Sequence, residues 1–177
     1  MRGLLIFPLL VLTIAATGQG KSEELIRWNE SQKLTWADYK GKPKENSDAA
    51  ASTATYLGFE FNVGKDGFDY KITCTFSKTK SWGLHKTDYI LTREQGHFDI
   101  AEIFARKLNK MMREYKFDKN SFKEDLKTIY EAIALEKDTF QNQYDEETNH
   151  SIKREKQAEW LTKISNQLKE LADFSDY

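Results

Sequence analysis

Thr92-Arg93-Glu94-Gln95-Gly96-His97-Phe98 stands one residue away from a zinc-hydrolase helix. Such a helix carries H-E-x-x-H. Two histidines at i and i+4 face the metal, and the glutamate beside the first acts as general base on the metal's water. Glu94 and the second histidine, His97, keep that register, but Arg93 occupies the place of the first histidine. A guanidinium stays protonated and offers no lone pair. Its charge also opposes a dication at short range. The stretch is therefore compatible with a working hydrolase, a rewired metal site or a relic.

A catalytic zinc takes about three protein ligands and keeps one position for water. The helix offers His97 alone, and the only other histidines are His85 and His150. His85 follows Trp82-Gly83 ahead of the helix, so a loop would have to fold it back. His150 sits in the segment entering the last helix. Either could equally be a solvated loop histidine. Arg93 could pair with Tyr89 or with an acidic residue from elsewhere, or hold a ligand carboxylate bidentately.

The residues that position this stretch follow a helical period. From about Thr87, Ile90, Glu94, His97, Ala101, Phe104, Leu108 and Met111 or Met112 recur at helical spacing. Glu94 and His97 thus lie in the apolar stripe, where each needs a partner. An ordinary amphipathic helix could carry the same pair. Gly96 costs about 1 kcal/mol against alanine in mid-helix, which a close approach by another backbone or group would explain. Glu102 points well away from His97 and reads as a solvated carboxylate or an i+4 partner of Arg106.

Ahead of this helix the pattern alternates. Residues 49–61 read as one strand, Gly64-Lys65-Asp66-Gly67 as a hairpin turn, and Phe68 to Phe76 as the return strand. Tyr70, Ile72, Cys74 and Phe76 share one face, which makes the single cysteine a buried structural thiol. Behind the helix, Ser121-Phe122-Lys123-Glu124 reads as a capping box for a second helix running through Leu126, Ile129 and Ile133 toward Phe140. Residues 144–151 read as a polar turn. Gln157, Trp160, Leu161, Ile164 and Leu168 mark a third helix. The fold class is α+β: a small antiparallel sheet of three or four strands in the N-terminal half, followed by about three long helices, the first with a zincin-like metal-site motif.

The chain begins Met1-Arg2-Gly3, then has an apolar run from Leu4 to Ile14 and small residues to Gly18. This is the pattern of a secretory signal peptide over residues 1–18. The run is too short for a membrane span, which needs about 20 residues. Residues 19–177 form one secreted domain, large enough for a real core. A formal charge of −1 with both signs interspersed and no basic stripe excludes an electrostatic nucleic-acid surface. A domain without an internal disulfide fits a bacterial periplasm or cell exterior.

Four segments together resemble a family of bacterial secreted proteins grouped with zinc-dependent proteases, a domain of otherwise unknown function. Residues 34–43 are similar to the family's L-T-W-x-D-F-x-G-x-P, the likeness continues in Ala49 to Thr53, and Ser81-Trp82 precedes the helix as in the family. Glu94 to Ile100 is similar to its H-E-Q-x-H-F-D-I. Residues 144–150 with Gln157 to Trp160 are similar to Y-D-x-E-T-x-H-G followed by Q-x-x-W. The resemblance implies a helix-borne zinc site in a secreted hydrolase acting on a peptide or protein. Glu94 would be its base and His97 a ligand. His150, from the motif that also holds Tyr144 and Asp145, would be the third ligand. His85 would complete the set in place of position 93. This sequence departs from the pattern at Arg93 and at Ser151, which stands where the family has glycine. Ser151 would be harmless there if it capped the last helix. The alternative is a non-catalytic periplasmic or cell-surface binding module, with Arg93 filling the metal's place and pairing with Glu94.

Overall fold

The computed structural model describes residues 23–43, 47, 49–64 and 67–177. The signal peptide expected at 1–18 lies outside the described residues. β1 (Leu25–Arg27), β3 (Thr55–Gly64) and β4 (Gly67–Ser77) form an antiparallel sheet in the order β1-β4-β3. β2 (Ala51–Ser52) and β5 (Trp82–Gly83) form a separate antiparallel pair. A 3-10 turn, Trp36–Asp38, lies between β1 and β2. Three helices follow: α1 (Asp88–Glu114), α2 (Phe122–Thr148) and α3 (Arg154–Glu170). The α+β architecture expected from the sequence, a small antiparallel sheet ahead of three helices, is the architecture observed.

The hairpin β3–β4 pairs over its whole length, closing with Gly64 opposite Gly67. Its register sets Phe59 opposite Ile72 and Leu57 opposite Cys74. Ile72, Cys74 and Phe76 are wholly buried on one face, so the cysteine is the structural thiol its alternation implied. The single strand expected over residues 49–61 is broken at residues 53 and 54. Ala54 donates its amide to Ser81 Oγ and its carbonyl accepts from Ser77 N, so the chain leaves one sheet and joins the other there.

α1 is central. Its N-terminus is capped by Thr87, whose hydroxyl accepts from Ile90 N. The sheet lies against one side, and α2 and α3 against the other. Burial therefore exceeds one stripe: Ile100, Ala101, Ile103, Phe104, Ala105 and Leu108 are all inaccessible. The same enclosure buries Glu102, against the solvated expectation. Its carboxylate takes Arg106 Nε at 2.8 Å, the anticipated i+4 partner, and the Tyr177 hydroxyl. Burial pushes the Glu102 carboxyl up despite those donors.

Two local expectations give way to other bonds. Ser121 makes no capping bond to the α2 backbone and instead donates to Asp125 Oδ2 at 2.7 Å. The polar segment at 144–148 is not a turn but the last turns of α2, with Tyr144 wholly buried. The turn begins at Asn149, and Asn149, His150 and Ser151 all have positive φ, at 46°, 50° and 79°. No helix of the described residues is long and apolar enough to cross a membrane.

Candidate functional site

The C-terminal half of α2 crosses the start of α1, and residues 49–55 close the third side. Together they bound a cleft of about 1040 Å³. Arg93, Glu94 and His97 face it from α1, and Gln141 and Asp145 face it from α2. Gln141 and Asp145 stand at i and i+4, so one face of α2 presents both.

Glu94 is 1% exposed and Arg93 7% exposed, so both charges must be answered inside the protein. Arg93 Nη1 donates to Glu94 Oε1 at 2.5 Å, and Nη2 donates to Asp145 Oδ1. Thr53 Oγ1 donates to Glu94 Oε2 at 2.7 Å. Because the Thr53 proton is used there, the Tyr39 hydroxyl at 2.9 Å is the donor to Thr53. Both oxygens of Glu94 are thereby engaged.

His97 Nε2 lies 3.2 Å from Asp145 Oδ1, and its Nδ1 faces Gln141 Oε1. The Gln141 amide is oriented by its own Nε2, which donates to the His97 carbonyl at 2.9 Å. Neither ring nitrogen is therefore directed at open cleft. Burial would raise the Asp145 carboxyl, but the hydrogen bond and charge of His97, with Arg93 and His150, hold it below the usual range.

Tyr144 supports the group from beneath. Its ring meets His97 edge-on at 4.9 Å between centroids, and the Arg93 guanidinium carbon sits 5.8 Å from its centre. Its hydroxyl donates to the Arg93 carbonyl at 3.2 Å and accepts from Gln157 of α3. What approaches Gly96 is this phenol, not another backbone.

The structure thus brings together Arg93, Glu94, His97, Tyr144 and Asp145. His150 lines the cleft at its lip, exposed, while His85 is exposed and is not among the lining residues. No hydrogen bond or ion pair joins either histidine to Glu94 or His97 among the described residues. Ser151 does not cap α3, whose N-cap is Lys153; its carbonyl accepts from the Tyr89 hydroxyl at 2.6 Å. Thr53 and Gln141 are the members that pattern reading missed. Gln141 could have been found from its i, i+4 relation to Asp145, whereas Thr53 is marked only as the end of the family-like segment Ala49 to Thr53, with no sign of its role.

Zinc requires ligand lone pairs that converge on one point. Here the lone pairs of Glu94 and Asp145 point into a guanidinium, and the His97 ring faces other partners. Among the described residues no three or more His, Cys, Asp or Glu side chains are arranged to hold a metal ion. The residues as they stand do not fit zinc.

A family model described as bacterial protein of unknown function (DUF922) matches residues 36–151, more than half of the chain. The chain belongs to that family. The match runs from the Trp36–Asp38 turn through the end of the cleft and excludes α3. No curated protein and no solved structure matches the chain.

Proposed function

We propose that this protein is a non-catalytic binding module, secreted to the periplasm or cell exterior, which holds an extended polypeptide segment in the cleft of a metallopeptidase-like scaffold. The observation that carries this reading is the state of Glu94. A general base must accept a proton from water, and both Glu94 oxygens already accept from Arg93 and Thr53. A zinc peptidase built on the same helix would need that carboxylate free and a metal beside it.

The cleft wall favours a peptide as ligand. Residues 49–55 are small side chains, with Ala51–Ser52 as β2 and Thr55 at the start of β3. β2 pairs with β5 on one side and has no strand on its other side among the described residues. An open edge beside a cleft can add a peptide strand through main-chain hydrogen bonds. The signal-like residues 1–18 support the exported location.

The test uses isotope-labelled protein and a pool of random-sequence peptides about a dozen residues long, the length of a strand with its flanks. Binding should shift amide resonances of residues 49–55 and of Gln141 and Asp145, with the peptides recovered uncut by mass spectrometry. Cleavage that disappears in Glu94→Gln would overturn the proposal, and so would peptide shifts confined to other faces.

A further inference from the structure

We propose that Arg93 is the resident cation of this cleft. Its guanidinium bridges Glu94 and Asp145 as a divalent ion would, and it makes the junction of α1 with α2 independent of metal. This holds whichever ligand the cleft takes.

The argument begins with charge. Glu94 comes from α1 and Asp145 from α2, and folding brings both carboxylates to one guanidinium. Without a cation between them a wholly buried anion and a half-buried one would repel. Arg93 Nη1 takes the first and Nη2 the second, so the fork spans the helix junction. His97 Nε2 approaches the same Asp145 oxygen at 3.2 Å. Two carboxylates from different helices thus share one cation that is covalently part of the chain, and His97 joins them through Asp145. Of the three guanidinium nitrogens, Nε alone is buried without a partner. The remainder of the guanidinium is spent on cross-linking.

The arrangement also selects the third group. Asp145 touches both Arg93 and His97, whereas His150 stands on the lip and His85 outside the cleft. If position 93 offered an imidazole, the set at hand would be that side chain, His97 one helical turn on, and Asp145 from α2. Two imidazoles and a carboxylate are a donor set that zinc or cobalt accepts.

The experiment is thermal melting of the purified protein and four variants, in EDTA and in excess Co²⁺. The wild type should melt at one temperature in both. Arg93→Met should melt lower in both, because the buried Glu94 and the half-buried Asp145 lose their cation. Arg93→His should melt low in EDTA and rise by about 5–10 °C at cobalt concentrations about a hundred times Kd. That rise should vanish in Arg93→His with Asp145→Asn and survive in Arg93→His with His150→Ala. Cobalt absorption bands at one equivalent give a second readout for the rise.

A wild type that loses stability in EDTA and regains it with Co²⁺ would overturn the inference. So would an Arg93→Met protein as stable as the wild type, or a cobalt response that needs His150 and not Asp145. If Arg93→His does not fold in EDTA, refolding with Co²⁺ decides: recovery with the metal supports the inference, and no recovery in either condition defeats it. Failure to bind peptides bears on the proposed function and leaves this result untouched.

Discussion

The Tyr144 hydroxyl lies 2.6 Å from the point where a Cβ on Gly96 would stand. The phenol cannot retreat. It is wholly buried, its hydroxyl bonds to the Arg93 carbonyl and to Gln157, and its ring lies against Trp160. Gly96 is the residue that lets α2 lie this close to α1.

Gly96→Ala should therefore destabilise, although alanine is the better helix former by about 1 kcal/mol. Overpacking of a rigid ring outweighs that gain, with an expected net loss of about 1–3 kcal/mol. Denaturant unfolding measures it. A variant more stable than the wild type would show that the ring gives way freely.

Tyr144→Phe removes the hydroxyl and leaves a donor of Gln157 without a partner. Gln157 Oε1 is already buried and unpaired. The expected loss is about 1–3 kcal/mol. The same change clears space above Gly96, so the double variant with Gly96→Ala should lose less than the sum of the singles. A double-mutant cycle that proved additive would place the two residues out of contact.

Ser151→Gly should stabilise. Ser151 holds φ 79°, which costs a residue with a Cβ about 1–2 kcal/mol and costs glycine nothing. Part of the relief returns as chain entropy in the unfolded state. A net gain of about 1 kcal/mol, read as a rise of roughly 2–4 °C in melting temperature, is expected. No gain would mean that the Tyr89 bond to the Ser151 carbonyl sets the conformation at no strain.

Asp38 supplies the pH-dependent case. Its Oδ2 accepts from Thr35 N at 2.9 Å and from Thr35 Oγ1 at 2.8 Å, and Lys78 stands 3.1 Å from Oδ1. Burial would raise this carboxyl, but Thr35 and Lys78 outweigh it and hold it below the usual range. A folded value below the unfolded one gives stability that is present above the unfolded value, about 3.9, and is lost as pH falls through the folded value. Asp38→Asn should thus be weaker than the wild type by about 1 kcal/mol at neutral pH. The difference should shrink as pH is lowered from about 4 toward 2. A gap constant with pH would remove the carboxylate from the account.

Much of the fold was legible because it follows from local periodicity. The two-residue period and paired turn glycines specified β3–β4 without reference to anything distant. The helical period specified α1 from about Thr87. The single stripe understated its burial, since no local pattern says that a helix will be covered on both sides. The break at residues 53 and 54 was illegible for a similar reason: it exists because Ser77 and Ser81 bond Ala54, and those partners arrive only with folding.

The site divides along the same line. Residue types and spacing alone determined that Glu94 and His97 lie one turn apart on the inward side of a helix. They also determined that Arg93 denies a metal its first imidazole. Only the tertiary structure decided what Arg93 does, because its partner Asp145 is far along the chain and is brought to it by the packing of α2 on α1. The same packing chose Asp145 over His150, and it placed Thr53 and Gln141 on groups whose sequences give no sign of them. Spacing along one helix fixes relative direction, but a charge buried between two helices is answered by whichever side chain the packing delivers.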